Sequence, residues 1–131
     1  MTEILLVSHG NLAKEFVQIA EMIIERPVNA TPVCLDIQLN QEACTDIINN
    51  AIGALPIDKK IVILTDLFGG TPSNISIPMI QKDRIEVITG VNLPMLLYLL
   101  TQPEDKEFQE LCEGAKKAGE EAILIAGDFL S

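Results

Sequence analysis

The chain has 131 residues, which at a prior of roughly 150 residues per domain predicts a single domain spanning 1–131 around one core. With 48% hydrophobic and 4% aromatic residues, that core is built from Ile, Leu, Val and Ala, a composition that excludes disorder and suits a parallel sheet covered by helices. A formal net charge of −10 repels nucleic acid and anionic lipid, so nucleic-acid binding is excluded and partners with basic docking faces are favoured.

Ile4 to Val7 is a continuous apolar run ended by Ser8, His9 and Gly10, and it reads as a first strand, too short for the core of a signal peptide. Leu12, Phe16, Ile19 and Ile23 then recur at helical spacing and predict the buried face of a first helix. A turn-rich connection through Pro27, Asn29 and Pro32 leads to a second strand around Val33 to Ile37. Ala43, Ile47, Ala51 and Leu55 predict a second helix, capped by Asn40.

Ile61 to Leu64 is the most strand-like run, and it ends in Asp66, Gly69 and Gly70. Thr71 as a cap before a first-turn Pro72 predicts a third helix. Arg84 to Thr89 reads as a fourth strand, Asn92 to Leu100 as a short helix, and Glu104 to Ala118 as an amphipathic helix using Phe108, Leu111, Cys112 and Ala115. Glu104, Asp105 and Glu107 suit the start of that helix rather than a metal. The run from Ala122 to Ala126 predicts a last strand. No apolar stretch is long enough to span a membrane, the longest being Leu93 to Leu100. Cys34, Cys44 and Cys112 are odd in number and widely spaced, which fits core residues in a reduced, cytoplasmic compartment better than disulfides or a zinc site.

Strands alternating with helices imply crossovers, hence a doubly wound α/β fold with a mainly parallel sheet and helices on both faces. In such sheets chemistry sits outside the carboxyl ends of the strands, where the strand order reverses. With an order of 2-1-3-4, the loops after the first and third strands are neighbours there. Strands lie about 4.8 Å apart, so His9 at one end and Asp66 at the other come within hydrogen-bonding reach. A carboxylate bonded to one ring nitrogen fixes the tautomer and leaves the other as a nucleophile. Gly69, Gly70 and Thr71, opening a helix, offer backbone N–H groups to an anion without any lysine. A Walker-type loop is absent, since no Lys-Ser or Lys-Thr pair follows Gly70.

Ser8-His9-Gly10, then Asp66-Leu67-Phe68-Gly69-Gly70-Thr71-Pro72-Ser73-Asn74, then Gly90-Val91-Asn92-Leu93-Pro94-Met95 resemble, in order, the IIA component of the mannose, fructose and sorbose family of phosphoenolpyruvate-dependent sugar phosphotransferase systems. The middle segment is the most specific. The resemblance implies that His9 accepts a phosphoryl group from the histidine-containing phosphocarrier protein and passes it to a IIB component for sugar uptake. It implies that Asp66 orients His9, that Gly10, Gly69, Gly70, Thr71 and Asn74 hold the phosphoryl group, and that Asn92 to Met95 form the far wall. No metal or nucleotide cofactor is implied, and contact with the membrane is only through the permease components. It also implies a homodimer in which the last strand crosses to the partner's sheet and runs antiparallel to it. The phosphotransfer subunit of dihydroxyacetone kinase shares the first histidine but not the Phe68-Gly69-Gly70-Thr71-Pro72 pattern. The alternatives are a regulatory docking module phosphorylated on His9 without onward transfer, and a small hydrolase using His9 and Asp66, which one histidine and no carboxylate cluster disfavour.

Overall fold

A computed structural model describes residues 2–36 and 38–130. Four strands, β1 (Thr2–His9), β2 (Ala30–Leu35), β3 (Lys60–Thr65) and β4 (Ile85–Thr89), form one sheet in the order β2-β1-β3-β4, with every pair parallel. Between and after them run the helices α1 (Leu12–Ile24), α2 (Gln41–Gly53), α3 (Thr71–Ser76), α4 (Leu93–Thr101) and α5 (Phe108–Glu121). The expected α/β architecture and strand order are therefore present. Ile37, at the expected end of the second strand, lies outside the described residues.

Because side chains alternate across a strand, each inner strand feeds two cores. Ile4, Leu6, Val62 and Leu64 pack on one face with residues of α1, α4 and α5, while Leu5, Val7, Ile61 and Ile63 pack on the other with Cys44 and Ile48 of α2 and Ile75 of α3. Burial on both faces explains why β1 and β3 read as unbroken apolar runs.

Two helices bury most deeply a stripe beside the one the spacing suggests, although Phe16, Ala51 and Leu55 of the expected stripes pack partly against the cores. In α1 the buried residues are Ala13, Val17 and Ala20, and Leu12, Ile19 and Ile23 are exposed; in α2 they are Cys44 and Ile48, and Ile47 is exposed. Both stripes are apolar, so periodicity alone does not choose between them. The choice in α1 falls to the alanines, whose small side chains let the helix seat close to the sheet.

Helix starts follow local chemistry. Asn40 Oδ1 accepts from the Ala43 N–H at 2.8 Å, and Asn92 Oδ1 accepts from the Met95 N–H at 3.0 Å. Glu107 caps α5 by accepting from the Gln109 and Glu110 N–H groups, and these bonds hold its carboxyl below its usual pKa. The helix thus starts at Phe108, with Glu104 and Asp105 in the preceding turn. The cap of α3 is Gly70 rather than Thr71, which is already helical.

The last sheet strand is β4, and it is parallel. The antiparallel strand expected over Ala122 to Ala126 is not formed: that segment leaves α5 without a ladder partner, and a short 3-10 helix follows at Ala126–Phe129. A strand exists only through ladder bonds to a neighbour, and among the described residues this segment has no ladder partner. No helix among the described residues is long and apolar enough to cross a membrane. Burial, with Glu86, Glu107 and Glu113 nearby, pushes the Cys112 thiol up to about 12.

The register of α2 gives a direct test by urea denaturation. Ile48→Ala, at a fully buried position, is expected to lower unfolding free energy by about 2–5 kcal/mol. Ile47→Ala, one residue earlier, is expected to cost under about 1 kcal/mol.

Candidate functional site

The ends of β1 and β3 meet where the strand order reverses. Val7 pairs with Thr65, so His9 and Asp66 lie just beyond the ladder on adjacent strands. Asp66 Oδ2 accepts from the His9 backbone N–H at 2.8 Å and lies 2.9 Å from the His9 Nδ1. The carboxylate side chain is 9% exposed and the imidazole 40%, so the acid is shielded while the ring faces outward. An ionised carboxylate only accepts hydrogen bonds, so Nδ1 is the donor in this contact, and in the neutral ring the lone pair falls on Nε2. The other Asp66 oxygen, Oδ1, is buried with no protein partner. Among the described residues, the side-chain hydrogen bonds of the acid thus go to His9 alone.

Gly70 closes the other side of the ring. A Cβ on Gly70 would lie 2.6 Å from His9 Cε1 and 3.1 Å from Nε2, closer than side chains pack, so the loop approaches the imidazole only because this residue has no side chain. Gly69 has φ +88°, the left-handed conformation needed to turn the chain into α3. Gly10 is held by its N–H to the Leu35 carbonyl at 2.8 Å, and the Ser8 hydroxyl accepts from the Ala13 N–H at 2.7 Å. These bonds fix where the chain leaves β1 after His9.

Thr71 and Asn74 lie on the exposed side of α3, and the Asn74 amide donates to the Gly69 carbonyl at 3.2 Å. Gly69, Gly70, Thr71 and Asn74 thus belong to the loop and helix start that abut His9. Asn92 is turned to the fold: it caps α4 and donates to the Gly119 carbonyl of α5 at 3.0 Å. Two residues that spacing did not single out stand under the loop, Thr65 and Ser73, whose hydroxyls lie 2.6 Å apart and fully buried. Nothing in periodicity marks a hydroxyl that serves a carbonyl across a turn.

The site is open. Leu67 and Phe68 are exposed beside it, and the groove of about 640 Å³ along β4 and α5, lined by Val87, Met95, Cys112 and Ile123, does not include His9. A nucleophilic nitrogen on an open surface suits a reacting group presented by another macromolecule better than an enclosed small molecule.

A family model described as the PTS system fructose IIA component matches residues 3–116. The mannose-specific EIIAB component of Escherichia coli (strain K12) is 31% identical over 122 residues, which cover 92% of this chain and 38% of that protein. The chain thus spans well under half the length of that relative. The sorbose-specific EIIA component of Lacticaseibacillus casei is 33% identical over 120 residues, covering 91% of this chain and 86% of that protein. Among solved structures, the mannose/sorbose specific IIA subunit of Enterococcus faecalis superposes with a TM-score of 0.83 at 25% identity, over 95% of this chain and 93% of that one.

The contact between Gly70 and the imidazole is testable by nitrogen NMR of the single histidine. Gly70→Ala is expected to displace the ring from Asp66, so that the spectrum moves from one Nδ1–H tautomer to a mixture. A spectrum identical to the parent's would show that the loop yields and the close approach is incidental.

Proposed function

The chain belongs to the EIIA-man family of phosphotransferase-system IIA components, and we propose that it serves sugar uptake as a phosphoryl carrier, with His9 as the residue that holds the group. The observation that carries this reading is the Asp66 contact at His9 Nδ1, which in the neutral ring puts the lone pair on Nε2 of a side chain that is 40% exposed. In the proposed step the Nε2 lone pair attacks the phosphorus of a donor phosphohistidine, the donor's P–N bond breaks, and the donor imidazole leaves with that electron pair. The His9 ring retains its Nδ1 proton and gains positive charge, which the Asp66 carboxylate offsets. Onward transfer is the same step in reverse, with Nε2 as the leaving nitrogen.

The donor in this proposal is the histidine-containing phosphocarrier protein and the acceptor a IIB component, both in the cytoplasm. The open setting of His9 supports protein partners on both sides of the exchange, and the net charge of −10 favours partners with basic faces. Gly10, Gly69, Gly70, Thr71 and Asn74 are proposed to hold the phosphoryl oxygens, through backbone N–H groups and the Thr71 and Asn74 side chains. The chain acts in this reading as a single IIA domain over 1–131.

A homodimer completes the proposal. Ile123, Leu124 and Ile125 are 77%, 65% and 72% exposed, and the chain that bears them has a sheet with two unlike edges. Pro32 removes a hydrogen-bond donor from β2, which blunts that edge, whereas β4 carries no proline and borders the apolar groove. A second copy's residues 122–126, laid antiparallel on β4, would bury these side chains and close the edge around a two-fold axis.

Incubation with phosphoenolpyruvate and the two general phosphotransfer proteins, followed by mass measurement, is expected to show one added phosphoryl group in an acid-labile, alkali-stable bond. His9→Ala should abolish it, and label that persists in this variant, or labelling by nucleoside triphosphate alone, refutes the assignment. Asp66→Ala is expected to fold and to transfer roughly ten- to a thousandfold more slowly; a rate equal to the parent's would reduce Asp66 to a turn residue.

Sedimentation at micromolar concentration is expected to report a dimer, and truncation before Glu120 to give aggregated or unstable protein. A monodisperse, well-folded monomer of the full chain refutes the exchange.

A further inference from the structure

We propose that Ser73 is a positioning residue of the phosphoryl site, forming with Thr65 a buried two-hydroxyl latch that holds the loop between β3 and α3 and so keeps Asp66 and Gly70 against His9. The inference rests on the reading of His9 as phosphoryl acceptor, and it extends that reading to residues that never touch the imidazole.

The hydrogen bonds have one consistent direction. Ser73 Oγ lies 2.6 Å from the Leu67 carbonyl oxygen and 2.6 Å from Thr65 Oγ1. A carbonyl can only accept and a serine hydroxyl has one proton, so Ser73 donates to Leu67 and Thr65 donates to Ser73. Both distances are at the short end for O–H···O bonds, and Thr65 and Ser73 are fully buried, where an unmade bond is costly. The two hydroxyls therefore form a relay from the last residue of β3, through the first turn of α3, to the carbonyl at the apex of the loop.

The ends of that loop are tied by the Asp66 bonds to His9 and by the Asn74 N–H to the Gly70 carbonyl at 2.9 Å, but its middle has few ties. Leu67 and Phe68 are 58% and 73% exposed, so their side chains anchor it only weakly. Within the turn, the Gly70 N–H reaches the Leu67 carbonyl only at 3.4 Å, and the Asn74 amide bond to Gly69 is solvent-exposed at 3.2 Å. Leu67 follows Asp66 directly and precedes Gly70 by three residues, so fixing its carbonyl fixes the backbone on both sides of the imidazole. A displacement of about 1 Å at a reacting group can cost about a hundredfold in rate, which sets the scale of what the latch protects.

Strand parity places the latch where it can act. Thr65 shares a face with Ile61 and Ile63, the side packed against α2 and α3, so its hydroxyl meets α3 rather than α1 or α4. A valine would fill the same volume but donate nothing.

The test compares Ser73→Ala, Thr65→Val, the double variant and Thr65→Ser, reading phosphotransfer kinetics, thermal melting and the NMR signal of the His9 Nδ1 proton. Ser73→Ala is expected to lower kcat about 10- to 100-fold, with KM for the donor protein changed less than about threefold, and to speed solvent exchange of the Nδ1 proton. Thr65→Val should do the same more weakly, the double variant should be no worse than Ser73→Ala because the two hydroxyls act in series, and Thr65→Ser should transfer at close to the parental rate. If Ser73→Ala fails to fold, the contrast between Thr65→Val and Thr65→Ser decides. Parental kinetics and a parental ring signal in the hydroxyl-deleted variants, with only the melting temperature lowered, overturn the proposal. The ring signal needs no donor protein, so a parent chain that accepts no phosphoryl group would remove the proposed function while still deciding whether the latch holds His9.

Discussion

One carboxylate oxygen, Asp66 Oδ2, faces both the backbone N–H and the ring Nδ1 of one residue, His9. This double contact ties the main chain and the imidazole to the same carboxylate: the backbone bond holds the acid in place, and the ring bond is the one that must break for the imidazole to swing out. It also demands that two strand ends lie side by side, because a carboxylate reaches both groups only from the adjacent strand. The sheet order, the register of β1 on β3 and the close approach of Gly70 all satisfy that demand.

The rigidity behind the contact comes from the two cores. β1 and β3 are sealed on both faces, and their buried residues include Leu5, Leu6, Ile63 and Leu64 at or near zero exposure. Such a close-packed platform moves little, so the mobile parts of the site reduce to the loop that follows each strand. The loop after β1 is tied back by Gly10 to Leu35 and by Ser8 to Ala13. The loop after β3 is tied by hydroxyls. Each loop thus has polar anchors beneath it and presents its reactive or exposed side chains above.

The strands, their order and the meeting of His9 with Asp66 were legible because each follows from a rule that acts locally or through topology. Apolar runs mark strands buried on both faces, alternation with helices forces parallel crossovers, and the switch point follows from the order. Which side of a helix is buried was not legible where two adjacent stripes are both apolar: α1 offers Leu12, Phe16, Ile19 and Ile23 as well as Ala13, Val17 and Ala20, and small residues rather than large ones face the sheet. The expected strand at 122–126 failed for a different reason, since apolar content predicts a need for burial but not a partner within the same chain. Thr71 was read as a cap from its side chain, and the backbone of Gly70 took that place because the loop must pass close to His9. The Ser73 hydroxyl was hidden because its worth depends on a carbonyl six residues away across a turn.

The two halves of the site are 57 residues apart in sequence, on strands that are adjacent only in the finished sheet. At synthesis rates of about 5–20 residues per second, His9 emerges roughly 3 to 11 s before the carboxylate that orients it. During that interval β1 has β2 as a possible neighbour but lacks β3, and a parallel pair without its second flanking strand is a poor nucleus. A nascent or half-folded chain therefore carries an ordinary, freely rotating imidazole with no fixed tautomer. The proposed competence of His9 waits for β3 to join β1, so the site forms only once the centre of the sheet is built.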